Sequence, residues 1–253
     1  MKSLRFIGAR LWLLALLLAV WEVLSDYRIL DPLFYPPPSK VVHTLWAMLG
    51  SGELGRQAGA TLLRAGGGLL AGVIGGGVVS LLMSVSARLR TATEPLVAAL
   101  YSTPRMTLLP MVMLILGVNE TSRLALVALG VALVMVIQIS DAVRGVSRDY
   151  VDLAANYGAS RAAIVRKVYL PACLPQIFTA LRLCAGRALV ATITIEMLSS
   201  NDGIGSMIWT SWQTFATEKL YASVLVAALL GLASGPLFRL IERRSVPWAG
   251  GQA

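Results

Sequence analysis

Long apolar runs separated by short polar breaks make up most of the chain. Runs at residues 11–25, 58–86, 95–117, 123–143, 174–199 and 222–241 are read as spans, against the roughly 20 residues that cross a hydrocarbon layer of about 30 Å. The pattern predicts an all-α polytopic membrane protein with six transmembrane helices in a single domain over residues 1–253. Only one interruption is long, polar and basic: residues 144–173, between the fourth and fifth runs.

That segment has its own helical punctuation. Asp149 to Tyr157 favours a helix with Val151, Leu153, Ala154 and Ala155 on one side, and Asp149 and Asp152 place negative charge in its first turn, where the helix dipole stabilises it. Gly158 supplies a left-handed stop, and Ser160 can cap a second helix carrying Arg161, Arg166 and Lys167. Pro171 and Pro175 mark its entry into the fifth span.

The other runs differ in what interrupts them. Lys2, Arg5 and Arg10 precede the first, which contains Trp12 and Trp21 and ends without a small-x-small cleavage site, so it is expected to stay as a span. The proline-rich stretch 26–40 suits an extended crossing of the outer surface, and Val41 to Leu49 predict a short interfacial helix. In the second span Gly68, Gly72 and Gly76 fall four apart, which leaves a backbone face open to another helix. Arg64 is expected to snorkel to headgroups, and Arg88 and Arg90 to mark an inner turn.

Pro104 and Pro110 should kink or unwind the third span. Arg105 lies between them, and an intramembrane arginine points either to a function or to a buried carboxylate pair. Gln138 sits near the inner end of the fourth span. In the fifth, Arg182, Arg187, Thr192, Thr194 and Glu196 recur too often for all to face lipid, which makes them pathway candidates with Arg105 and Gln138. An Asn-Asp-Gly turn opens an outer interfacial or partly re-entrant helix over 204–216. There Asp202, Trp209 and Trp212 are outer-gate candidates.

Composition agrees with a lipid-solvated chain: 57% of the 253 residues are hydrophobic and 14% charged. The net charge of +9 is read as basic residues kept on the cytoplasmic side, not as a nucleic-acid surface. Lys2, Arg5, Arg10, Arg88, Arg90, Arg144, Arg148, Arg161, Arg166, Lys167, Arg239, Arg243 and Arg244 fall inside, against Arg28, Lys40, Arg56, Arg123 and Lys219 outside. Both termini and the central segment are therefore expected in the cytoplasm. His43 is the only histidine, so neither a zinc site nor a histidine-based triad can be assembled within one chain. Cys173 and Cys184 are read as core residues.

Asp152-Leu153-Ala154, Gly158 and Val168-x-Leu170-Pro171 resemble the EAA-x3-G-x9-I-x-L-P signature of ATP-binding-cassette importer permeases, with Asp for Glu and Leu for Ala. FYPPPSKV at 34–41, GASR at 158–161, KVYLPACLP at 167–175, Leu181-Arg182, and Glu196-Met197-Leu198 followed by Asp202-Gly203-Ile204-Gly205 resemble the nitrate, sulfonate and taurine branch. Arg105 departs from that branch, where a proline or small residue is expected. The resemblance implies a type I importer of the bacterial inner membrane with a second permease subunit, two ATPase subunits and an external substrate-binding protein. It places ATP and Mg on the partner ATPases and no cofactor on this chain. It also implies a cytoplasmic coupling helix between spans four and five, with Asp152, Leu153, Ala154, Ala155, Tyr157, Gly158, Ala159 and Arg161 as the docking candidates.

The excess of Arg105, Arg182 and Arg187 over Glu196 within the spans points to a small anion as solute. An ion-coupled secondary transporter is the alternative, but such folds commonly carry inverted repeats, and none stands out. An intramembrane enzyme built on Arg187, Glu196 and Asp202 lacks a nucleophile, base and orienting group. ATP hydrolysis by the chain itself is excluded because no G-x4-G-K-[ST] loop occurs.

Overall fold

The computed structural model describes residues 2–245, and among these the side chains of 12–84, 86–160 and 162–245. Lys2, Arg5, Arg10 and the docking candidate Arg161 lie outside the described side chains. Among the described residues all regular elements are helices: α1 (Lys2–Asp26), α2 (Pro38–Gly50), α3 (Glu53–Val85), α4 (Ala87–Ser102), α5 (Leu109–Leu116), α6 (Glu120–Arg144), α7 (Arg148–Asn156), α8 (Arg161–Ile164), α9 (Leu170–Ser199), α10 (Ile204–Gln213) and α11 (Thr217–Ser245). A 3-10 turn, Arg105–Leu108, precedes α5, and a π-turn, Val165–Tyr169, precedes α9. Four of the described helices are long and apolar enough to cross a membrane: Glu53–Ser84, Glu120–Arg144, Ala162–Ser199 and Thr217–Ser245. The pair Ala87–Ser102 and Arg105–Leu116 makes a fifth crossing if it is one broken span, bent by 99°.

Two compact units emerge, Met1–Ala60 with Glu196–Ala228, and Thr61–Ile195 with Leu229–Ala253. In the first, the Ser39 backbone N–H donates to Glu22 Oε2 at 2.9 Å, the Ser25 hydroxyl donates to the Tyr35 carbonyl at 2.7 Å, and Trp21 packs on Tyr221 at 5.4 Å between ring centroids. The proline-rich stretch before α2 folds into turns and is not extended as the sequence suggested. Phe34 and Tyr35 N–H groups both donate to the Asp31 carbonyl, and the Leu33 N–H donates to Asp31 Oδ1 at 2.9 Å. An aspartate that bonds the backbone ahead of it offers a turn that the prolines then rigidify.

The second unit is built on α6, which packs against α4, the 3-10 turn and α5. Leu126, Val127, Val131, Val134 and Met135 of α6 join Leu109 of α5 and Ala180, Cys184, Ala188 and Ile195 of α9 in one core. The glycine face of α3 lies against the same helix. A methyl on Gly68 would come within 2.6 Å of Val127 Cγ1, on Gly72 within 2.6 Å of the Ala128 carbonyl, and on Gly76 within 2.7 Å of the Ala132 carbonyl. Bare backbone thus sets the approach of α3 to α6, as the four-residue spacing predicts. Cys173 and Cys184 are buried, free thiols in this packing.

Three local expectations change. Arg88 and Arg90 lie in the first turn of α4; the break from α3 is Ser86, whose side chain accepts from the Leu89 N–H. Arg64 does not snorkel: it is buried, with Nε 2.7 Å from Glu120 Oε2. A carboxylate within reach stabilises a buried guanidinium more directly than a stretch toward headgroups. Finally, Pro104 breaks the third span, whereas Pro110 sits in the first turn of α5, where its missing N–H has no intrahelical partner to lose.

Candidate functional site

Pro104 shapes the site. Thr103 and Pro104 are extended (ψ 131° and 109°), so α4 ends and the chain turns at once into the 3-10 turn that begins with Arg105. This turn, Leu126 of α6, and Gly186, Arg187, Val190, Ala191, Thr194 and Ile195 of α9 line a cavity of about 450 Å³. On α9 the residues Arg187, Val190, Ala191 and Thr194 recur at helical spacing and share one face. Two guanidinium groups and a hydroxyl thus meet apolar walls in one space.

The charge balance there is uneven. Among the described residues neither Arg105 nor Arg187 has a carboxylate within salt-bridge distance, whereas Arg64 meets Glu120 at 2.7 Å and Arg182 meets Glu242 at 3.1 Å. Arg182, grouped with the other two on sequence alone, is therefore neutralised by α11 and lines no part of this cavity. Gln138 is half-buried on α6 away from it. Thr192 is buried, its hydroxyl without a hydrogen-bond partner, and it does not line the cavity either.

Glu196 is placed apart from this cavity. Fully buried, its carboxylate accepts from the Gly205 N–H at 3.0 Å, and a methyl on Gly203 would overlap it. The Gly203 N–H donates to Gln57 Oε1, and Gly203 holds φ at +97°, a conformation that favours glycine. Glu196 and Gln57 together cap the start of α10. Asp202 accepts at Oδ1 from the Ser200 hydroxyl at 3.0 Å. Trp209 and Trp212 pack ring to ring at 5.0 Å, and Trp212 joins Phe34, Phe215 and Tyr221 around a cavity of about 260 Å³.

The polar segment folds as a helix, a turn and a helix. The Ser147 side chain accepts from the Asp149 N–H at the start of α7, Gly158 ends the turn at φ +79°, and Ser160 Oγ accepts from the Ala163 N–H at 3.3 Å. Pro171 lacks the N–H for the next turn, and the Leu170 N–H reaches back to the Val165 carbonyl, which gives the π-turn. The faces of α7 differ from the expected grouping: Val151 and Ala154 are half-buried, while Asp152, Leu153 and Ala155 are exposed. Leu153 instead joins Tyr150 and Tyr157 on an outward strip, at 56%, 65% and 86% exposure. Ala159 is half-buried.

The sequence pattern of the family described as the inner membrane component of binding-protein-dependent transport systems matches residues 68–248. The chain belongs to this family. A taurine transport system permease protein of Escherichia coli (strain K12) is 29% identical over 242 residues, covering 94% of this chain and 88% of the relative. A riboflavin transport system permease protein of Chloroflexus aurantiacus is also 29% identical, over 239 residues, 93% of this chain and 88% of the relative. In fold, the chain is similar to a chain of a bacterial ABC transporter involved in the import of the acidic polysaccharide alginate. The TM-score is 0.66 at 17% identity, over 97% of this chain and 99% of that one.

As an ABC transporter permease the chain is a membrane transport component and not itself a catalyst. Relatives named for taurine and for riboflavin share the same identity with it, so a relative's name alone does not give the solute. Sequence reasoning missed Glu120 and Glu242, which pair with Arg64 and Arg182, and Gln57, which accepts from the Gly203 N–H. Only Glu120 left a signal, as an acid at the start of an apolar run.

Proposed function

We propose that this permease is one of two membrane subunits of an ATP-driven importer that moves a small solute with an anionic group, of the sulfonate, nitrate or taurine kind, delivered by an external binding protein. The observation that carries the solute class is the cavity at Arg105 and Arg187, where two cations face shared space with no carboxylate neighbour among the described residues. Arg105 is half-buried and Arg187 exposed to that space, and cations beside a path within the membrane lower the barrier for an anion while letting it leave again.

Coupling rests on α7. Its outward strip of Tyr150, Leu153 and Tyr157 is the kind of apolar face a short helix presents to a groove, and the segment that resembles the importer signature overlaps it at Leu153. In this reading the partner ATPases bind ATP and Mg, close, and pull α7. The Ala162–Ser199 helix, which carries Arg187, then moves with it. Six spans, cytoplasmic termini and an inner-membrane location complete the arrangement, supported by the bias of basic residues.

The test is uptake in proteoliposomes containing the full importer. Saturable uptake of a small sulfonate that collapses on Arg105→Ala and Arg187→Ala is expected. ATP hydrolysis stimulated by binding protein carrying a ligand with no anionic group, and not by protein loaded with a sulfonate or nitrate, would overturn the solute class.

A further inference from the structure

Gly130 lies in the middle of α6, where its neighbours Val127, Val131 and Val134 are buried core residues. A glycine weakens a helix relative to alanine, so its presence there calls for a reason. A methyl built on Gly130 would overlap Nη1 of Arg105 and lie 3.1 Å from Cδ and 3.4 Å from Cζ of the same side chain. These three atoms are its nearest neighbours, and none is backbone. At Gly72 and Gly76, by contrast, added methyls would meet the Ala128 and Ala132 carbonyl oxygens. Those two glycines set the approach of one helix to another, while Gly130 makes room for one side chain.

We propose that Gly130 is a specificity-determining position of the permease: its bare backbone makes room for the Nη1–Cδ edge of Arg105 against α6, so that Arg105 and Arg187 together form a site for a compact oxyanion. The inference rests on the reading of the cavity as an anion path. Seated in this way, Arg105 leaves the cavity open while presenting N–H donors to it, and Arg187 supplies a second set from α9. Guanidinium forks match anions with several acceptor oxygens, such as sulfonate or nitrate, better than a halide. A methyl on Gly130 would displace only the flexible end of Arg105, so the helix would survive and the site would not. Gly130 is thus a positioning residue that acts through Arg105.

The experiment uses the purified permease in lipid nanodiscs, titrated calorimetrically with ethanesulfonate and, as a control, chloride. The wild type should bind ethanesulfonate in preference to chloride. Arg105→Ala should weaken binding about tenfold or more, and Gly130→Ala by about tenfold, with an unchanged melting temperature. The double variant R105A/G130A should bind no more weakly than R105A, because the space is then vacant. Gly130→Ala with wild-type affinity, or with an equal further loss or a folding failure in the R105A background, would overturn the seat. If Arg105→Ala weakens binding and Gly130→Ala does not, the seat alone falls. If the wild type shows no preference for ethanesulfonate, or Arg105→Ala leaves binding intact, the anion reading falls and takes this inference with it.

Discussion

Arg64 and Arg187 are both arginines within long apolar helices, yet they occupy opposite electrostatic situations. Arg64 is buried on α3 with its Nε 2.7 Å and Nη2 2.8 Å from the two oxygens of Glu120, which also accepts from Arg123 at 2.6 Å. Arg187 lines a cavity shared with Arg105, and neither has a carboxylate in reach among the described residues. A fork-to-fork pair holds two helices together. An unmatched pair of cations facing free space holds nothing together, and its charge is available to something that passes. The first arrangement should matter for folding and the second for transport, and mutation can separate them.

The largest effect should follow from removing the unmatched charges. Arg105→Ala and Arg187→Ala should each reduce solute affinity by about 10- to 100-fold, the worth of a charge-assisted hydrogen bond or two. The melting temperature of the purified importer should stay near that of the wild type, since neither arginine is fully buried or pairs with a carboxylate among the described residues. Sulfonate uptake across a concentration series, together with thermal unfolding in detergent, checks both halves. A variant that melts far lower while the affinity of the surviving fraction is intact would make these arginines structural and erase the contrast with Arg64.

Arg64→Ala should show the reverse pattern. Loss of the pair should cost about 2 kcal/mol of stability, below the full value for a buried pair because Glu120 is half-exposed and keeps Arg123. Yield and melting temperature should fall, and affinity in the folded fraction should not change. Arg64→Lys, which keeps the charge but loses the fork, should fall between the two.

These contrasts were only partly legible in the chain. Apolar length and proline position locate α3, α6, α9 and α11 and the break at Pro104, because such features act over a few neighbouring residues. The turn at Gly158 was legible for the same reason: a glycine followed by a capping serine is a local signal. What pairs with what was not. Arg64 and Glu120 lie 56 residues apart and Arg182 and Glu242 lie 60 apart, and sequence pattern cannot say which helices become neighbours. Sequence therefore grouped Arg182 with Arg105 and Arg187, and only the packing of α11 shows that it has a carboxylate beside it. Gly130 was invisible because one glycine in an apolar helix has no periodic signature, and its meaning lies in the side chain laid across it.

A variant of the polar segment provides the missing third pattern, loss of transport with neither affinity nor overall folding changed. Gly158 holds φ +79° with nothing among the described residues within 4 Å of an added Cβ, so Gly158→Val acts mainly through backbone strain, about 1–2 kcal/mol. That is enough to reorganise the turn between α7 and α8 but not to unfold the spans. Co-purification of the ATPase and maximal uptake should fall while ethanesulfonate binding to the permease stays at the wild-type level. Unchanged co-purification and uptake would remove the coupling role from this segment.

The smallest effect belongs to Arg182 and Glu242, which test whether pairing or position makes an arginine structural. Their side chains are 34% and 22% exposed at a separation of 3.1 Å, so water and headgroups can partly replace either partner. Arg182→Gln should therefore cost about 1 kcal/mol of stability. Glu242→Gln should cost somewhat more, since it leaves a cation behind on α9. If pairing is what keeps Arg182 out of transport, Glu242→Gln converts it into an unmatched charge like Arg187, and the selectivity for anions should then rise slightly or stay constant, never fall. A fall in sulfonate affinity with either variant would mean that Arg182 already serves the path while bound to Glu242, and that proximity to a carboxylate does not divide the arginines of this permease into two kinds.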